Sequence, residues 1–136
     1  MHLEEVRTEP LAVSQLTRAV PEIIDFLRSW GYDRVQITYG WGCRLPIERL
    51  WCPIQFDVSQ LGVFVEAALR EGMFQFGNSD LHIEDLQKKL EFLICHESDI
   101  HFASTDQNLV EENNRQVARQ RVCRLRKPWP QGERSR

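Results

Sequence analysis

The chain has 136 residues, 42% hydrophobic and 27% charged, the composition of one globular domain rather than of a disordered segment. Its longest apolar run, Leu61 to Val65, ends at Glu66, far short of the roughly 20 residues that a membrane helix needs. Net charge is −3; the 22 residues from Arg115 onward carry eight bases against Glu133, a net of +7, which leaves −10 on residues 1 to 114.

The opening MHLEEVRTEP has neither the basic nor the apolar region of a secretory signal, so a cytoplasmic location is expected. His2 belongs to an untethered terminus on this reading. Cys43, Cys52, Cys95 and Cys123 contain no CxxC pair, which excludes a zinc ribbon or a thioredoxin-like motif and fits reduced, structural thiols. A first helical region is expected from Pro10 to Trp30, with Thr8 as its cap and a break or kink at Pro21. Ile23, Ile24, Leu27 and Trp30 fall on one face, and Gly31 ends the helix.

DRVQITYG alternates Val35, Ile37 and Tyr39 against Arg34, Gln36 and Thr38, the pattern of a half-buried strand. The GxG of the following GWGCRLP is not a dinucleotide loop, because the third glycine is missing and Pro46 stands where a helix must begin. A strand is expected over Arg49 to Phe56, with Pro53 marking an edge or a bulge. Asp57 and Gln60 then form a capping-box pattern before a helix whose buried stripe is Leu61, Phe64, Val65, Ala68 and Leu69, ended by Gly72.

Short strands are expected at Met73–Phe76, Leu81–Glu84, Leu90–Cys95 and Ile100–Ser104, with GNSD and LQKK as turns. A last helix is expected from Ser104 through Leu109, Val110 and Val117 toward Leu125. The fold class is therefore α+β, an antiparallel sheet of five or six short strands with helices packed on one face. Residues 1–125 form the expected globular domain and residues 126–136 a flexible basic tail.

The densest set of chemically active residues is CHESDIHF, residues 95 to 102. It is not a zincin helix. That motif needs histidines four residues apart, whereas His101 follows His96 by five, a rotation of about 500° on a helix. As a hairpin with Cys95 opposite Ile100, it places Leu93, Cys95, Ile100 and Phe102 on the core face and His96, Asp99 and His101 on the other. Two imidazoles and a carboxylate on one face suit zinc or non-haem iron. The same geometry also describes an ordinary half-buried hairpin whose polar side meets water, and that solvated tip is the expectation. His96, Glu97, Asp99 and His101 are then candidate surface-binding residues, with no catalytic residue assigned. His82, on another expected strand, lies within reach of the hairpin.

At the other end, Arg115, Arg119, Arg121, Arg124, Arg126 and Lys127, with Trp129 nearby, make a basic surface. It is suited to phosphates and a stacked base, or to an acidic surface. An acidic body draws basic partners and speeds their association. The functional expectation is a non-enzymatic protein-binding module that neutralises a basic partner. On size, charge and class it is similar in general character to bacterial immunity proteins, which cover basic nuclease toxins. The alternatives are a metal-dependent enzyme using His96, Asp99 and His101, and nucleic-acid binding through the basic C-terminal helix. Neither a cofactor nor a membrane partner is expected.

Overall fold

The computed structural model describes residues 2–116 and 122–128. Among them, one antiparallel sheet of seven strands carries three helices on one face, an α+β fold as the sequence predicts. In chain order the elements are β1 (His2–Thr8), α1 (Val13–Ser29), β2 (Arg34–Tyr39), β3 (Ile54–Asp57) and α2 (Val58–Arg70). Then follow β4 (Leu81–Asp85), β5 (Leu90–Ile94), β6 (Ile100–Ser104), α3 (Gln107–Gln116) and β7 (Val122–Pro128). The strand order is β3-β2-β4-β5-β6-β1-β7. No helix among the described residues is long and apolar enough to cross a membrane.

Alternation dictates the inner face. Val35 and Ile37 of β2 pair into β4 beside Ile83, and Ile83 lies opposite Phe92 of β5. Phe92 in turn lies opposite Phe102 of β6, and Phe102 opposite Val6 of β1. Onto this surface α1 lays Leu16, Ile23, Phe26 and Leu27, all fully buried. Phe26 meets Phe92 and Phe102 edge-on, with ring centroids 5.7 and 5.5 Å away, the arrangement that ring quadrupoles favour. Helix α2 adds Leu61, Val65 and Ala68, and α3 adds Leu109 and Val110.

Both expected glycine stops are present. Gly31, at φ 81, donates to Arg28 O while Tyr32 N–H reaches Leu27 O; Gly72, at φ 77, donates to Leu69 O while Met73 N–H reaches Ala68 O. These are Schellman pairs, which only a residue tolerant of positive φ closes without strain. Caps at the helix starts differ from expectation. Thr8 lies in β1, where its Oγ1 accepts the Ile100 N–H at 3.1 Å, and α1 begins after Ala12, whose N–H donates to Gln15 Oε1 at 2.9 Å. Helix α1 continues through Pro21, because the apolar face on either side of the proline is anchored to the sheet. Asp57 holds the cap position of α2, but its carboxylate is taken by Arg34 Nη1 at 3.1 Å.

Three expected elements change type. Residues 73–76 are turns rather than a strand; Phe74 is buried, so the apolar character of this stretch reflects packing of a loop. The expected strand from Arg49 shortens to Ile54–Asp57 behind a single 3-10 turn at Ile47–Arg49, and Pro53 does stand before an edge strand. Of the long final helix, Gln107–Gln116 is helical, while Val122–Pro128 forms β7 where helix was expected as far as Leu125; Val117 lies outside the described residues. His2, expected in a loose terminus, starts a strand paired on both sides: β1 joins β6 to β7, with His2 opposite Pro128.

The three-ring cluster sets the stability of this core. Phe26→Ala should lower the unfolding free energy by about 3–5 kcal/mol, the cost of a buried aromatic truncation, measured by urea denaturation.

Candidate functional site

The β5–β6 hairpin turn is one residue longer than the sequence suggests. Ile94, not Cys95, lies opposite Ile100, and Leu93 lies opposite His101. The turn is His96-Glu97-Ser98. Ser98 N–H donates to Cys95 O at 3.0 Å, Cys95 N–H donates to Asp99 O at 2.9 Å, and Ser98 adopts φ 70. A three-residue loop with its last residue in the left-handed region is a standard hairpin closure, usually with glycine there. The shift exchanges faces, as a one-residue slip must. Ile94 joins the helix side, while Leu93, Cys95, Asp99 and His101 share the other.

That other face is not water-facing. Glu5, Thr38, His82, Glu84, Glu91, Asp99 and His101 are all buried on it, which overturns the solvated hairpin tip for Asp99 and His101. His101 is clamped by two carboxylates: its Nδ1 donates to Glu5 Oε2 at 3.2 Å and its Nε2 to Asp99 Oδ2 at 2.9 Å. Two acceptors require both nitrogens to carry protons, so the ring is an imidazolium. Burial alone pushes its pKa down, but the bonds to Asp99, Cys95 and Glu5 outweigh it and raise it to about 10. Burial likewise pushes Asp99 up, and the His101 and Cys95 contacts more than reverse this, leaving Asp99 below its ordinary value. Along the sheet, His82 Nδ1 donates to Glu91 Oε2 at 2.8 Å, and its Nε2 is buried without a partner among the described residues. The Trp51 ring lies 5.7 Å from that imidazole.

His96 turns elsewhere. Three loops meet at the end of the sheet, 40–43, 75–80 and 95–98, and Asp80 is their hub. Its backbone N–H donates to Trp41 O at 2.8 Å, and its carbonyl accepts from Gly40 N at 3.0 Å and Cys43 Sγ at 3.3 Å. Its Oδ1 accepts the His96 backbone N–H at 2.7 Å and the His96 Nδ1–H at 2.8 Å. Burial pushes the Cys43 thiol up to about 11, so it stays protonated at neutral pH. Gly42, at φ 76, passes so close to the 78 carbonyl that a Cβ there would lie 2.2 Å from Asn78 O.

Of the four hairpin candidates, Asp99 and His101 are thus joined to each other, His96 is joined to Asp80, and Glu97 is exposed. Between the two pairs sits Cys95, whose thiol belongs to two groups of close donors, Asp80–Cys95–His96 and Cys95–Asp99–His101. His96 does not complete a triad with Asp99 and His101. Arg115 is exposed on α3 and bonded to Glu112. Arg124, Arg126 and Lys127 lie on β7 opposite Val6, Glu4 and Leu3, while Arg119, Arg121 and Trp129 lie outside the described residues. Sequence reasoning missed Asp80, Cys95 and Glu5 as members of the cluster. Asp80 reads as the last residue of a turn, and Glu5 lies 96 positions from His101, so no spacing rule links them.

No protein-family model, curated protein or solved structure matches this chain.

Two expectations follow from the geometry. Because the His101 pKa is raised in the folded chain, its contribution is complete below the unfolded value of 6.5 and is lost as pH climbs through about 10. Urea midpoints should therefore fall across that interval in the wild type and fall less in His101→Gln. The Asp99 contribution has the opposite sign, present above 3.8 and lost on acidification. Gly42→Ala should cost more than about 1 kcal/mol, since it combines positive φ with a backbone clash, read as a drop in thermal midpoint.

Proposed function

We propose that the chain is a cytoplasmic protein-recognition module that binds a basic protein in the manner of an inhibitor or immunity-like protein. The observation that carries this reading is the β2–β3 connection. Over residues 41–53 it exposes three large apolar side chains: Trp41 at 64%, Ile47 at 82% and Trp51 at 54%. Isolated apolar residues on a surface need no explanation, but two tryptophans on one loop resemble the anchors of protein interfaces.

The loop is also built rather than loose. Trp51 takes φ 63, a conformation that a bulky residue keeps only where its surroundings enforce it. The enforcing contacts are its N–H bond to Tyr39 O at 2.9 Å and the packing of its ring against Gly40, where a Cβ would come within 2.8 Å of the indole. Trp41 follows Gly40 directly and faces the His96 ring at 6.3 Å. An anchor already held in place loses little side-chain entropy on binding. The −10 charge of residues 1 to 114 supplies the second element, a field that steers basic proteins toward the surface.

The test compares the wild type with Trp41→Ala/Trp51→Ala as bait for bacterial lysate at low salt, both checked for fold by circular dichroism. Basic proteins should bind the wild type, associate more slowly as salt rises, and bind the double variant more weakly by about 2 kcal/mol or more per anchor. Recovery of no basic protein, or equal recovery by a folded double variant, refutes the reading.

A further inference from the structure

The loop junction at Asp80 holds a feature that protein recognition does not use. The Asp80 side chain is 0% exposed, yet only Oδ1 is bonded; Oδ2 is buried with no partner among the described residues. A buried carboxylate with an empty oxygen is expensive, and such groups normally find a hydrogen bond or a cation. Beside it stand a thiol and an imidazole. His96 Nδ1 lies 2.8 Å from Asp80 Oδ1 and 3.8 Å from Cys95 Sγ, and one donor atom from each of the three residues falls within 4.8 Å of the others.

We propose that Asp80, Cys95 and His96 bind a zinc-type divalent cation. Tetrahedral zinc, with bonds of about 2.0–2.3 Å, holds its donors roughly 3.3–3.7 Å apart. The Asp80–His96 separation of 2.8 Å must open by about half an ångström, and the Cys95–His96 separation of 3.8 Å already lies close to that range. The ion takes the place of the proton that His96 Nδ1 now donates to Asp80. A thiolate in the set selects zinc over calcium or magnesium, which prefer oxygen alone. The fourth position is left to water. His96 provides the path in, since its side chain is 34% exposed, and its backbone N–H bond to Asp80 fixes the two ligands relative to each other before any ion arrives.

The neighbouring group competes for the same thiol. Cys95, Asp99 and His101 are also mutually close, and Asp99 Oδ1 is buried with no hydrogen-bond partner among the described residues. There, however, both imidazole nitrogens are engaged by carboxylates, so His101 has no lone pair to give, and all three residues are buried. The Asp80 side has both the free donor capacity and the opening.

The experiment titrates the full, reduced chain with Zn²⁺ alone, counts bound metal after desalting, and repeats the titration with Co²⁺ to read the thiolate-to-cobalt absorption. One zinc per chain and a thiolate band are expected. Asp80→Asn and His96→Gln should each weaken zinc binding at least about tenfold, and Asp99→Asn should leave it unchanged. His96 is half-exposed in a turn, so His96→Gln keeps the test decisive even if Asp80→Asn fails to fold. Absence of the band, wild-type affinity in His96→Gln, or a loss that follows Asp99→Asn instead overturns the assignment.

Discussion

The turn between β5 and β6 closes over three residues, with Ser98 at φ 70, and the chemistry of the far side of the sheet follows from that count. With a two-residue turn at Glu97-Ser98, Cys95 would lie against Ile100 beneath the helices, and Ile94 would face His101. The three-residue closure places Ile94 in the core and turns Cys95 to the face that Asp99 and His101 share. It leaves the Cys95 thiol between Asp80–His96 and the Asp99–His101 pair, whose Oδ2 and Nε2 lie 2.9 Å apart. Side-chain alternation makes register an all-or-none property. A serine tolerating the left-handed conformation at one position therefore decides which groups can meet at all.

Burying carboxylates on a sheet face has a physical consequence that apolar packing does not. An isolated carboxylate in the interior pays a desolvation penalty of several kcal/mol, so each needs a cation or several donors. His101 answers this for two of them by bridging Glu5 and Asp99, and His82 answers it for Glu91. Such clusters are weak sources of net stability, since Coulomb attraction does little more than repay desolvation; they matter because removing one member strands the others. The triad joins β1 to the β5–β6 hairpin across 96 residues of sequence. It fixes where the N-terminal strand docks, a task for which its sparse apolar content, with Val6 the side chain it sends into the core, offers little guidance.

This explains what was legible beforehand. Period-2 alternation marks β2, turn residues on either side mark β4, β5 and β6, and glycine at the helix ends marks both Schellman stops, because in those places local sequence and tertiary structure agree. Strand β1 was invisible, as HLEEVRT lacks the apolar alternation of a half-buried strand; its pairing is set by ion pairs with residues it meets only after folding. The final helix was overextended because Arg-rich sequence propagates helix well in isolation, whereas strand pairing to β1 decides the type of residues 122–128. Residue type draws attention to residues 95–101, but their division between the Asp80–His96 and Asp99–His101 pairs cannot be read from it. Ser98 carries no glycine-like signal, and Asp80 and Glu5 come from distant elements.

The β2–β3 loop and the Asp80 junction are mechanically one object. Gly40 N–H donates to Asp80 O, and Asp80 N–H donates to Trp41 O, so the backbone carrying Trp41 is pinned to the residue whose carboxylate holds His96. The glycine that these bonds fix is also the floor on which the Trp51 ring rests. A ligand that binds only the folded junction stabilises it by mass action, about 2.7 kcal/mol at a hundredfold excess over its dissociation constant. That stabilisation resists every local opening that would release Gly40. Because coupling is reciprocal, a partner protein that needs both indoles in their present positions would tighten the junction in turn. The β2–β3 loop and the Asp80 junction therefore share a hinge point, and a ligand held at one would stiffen the other.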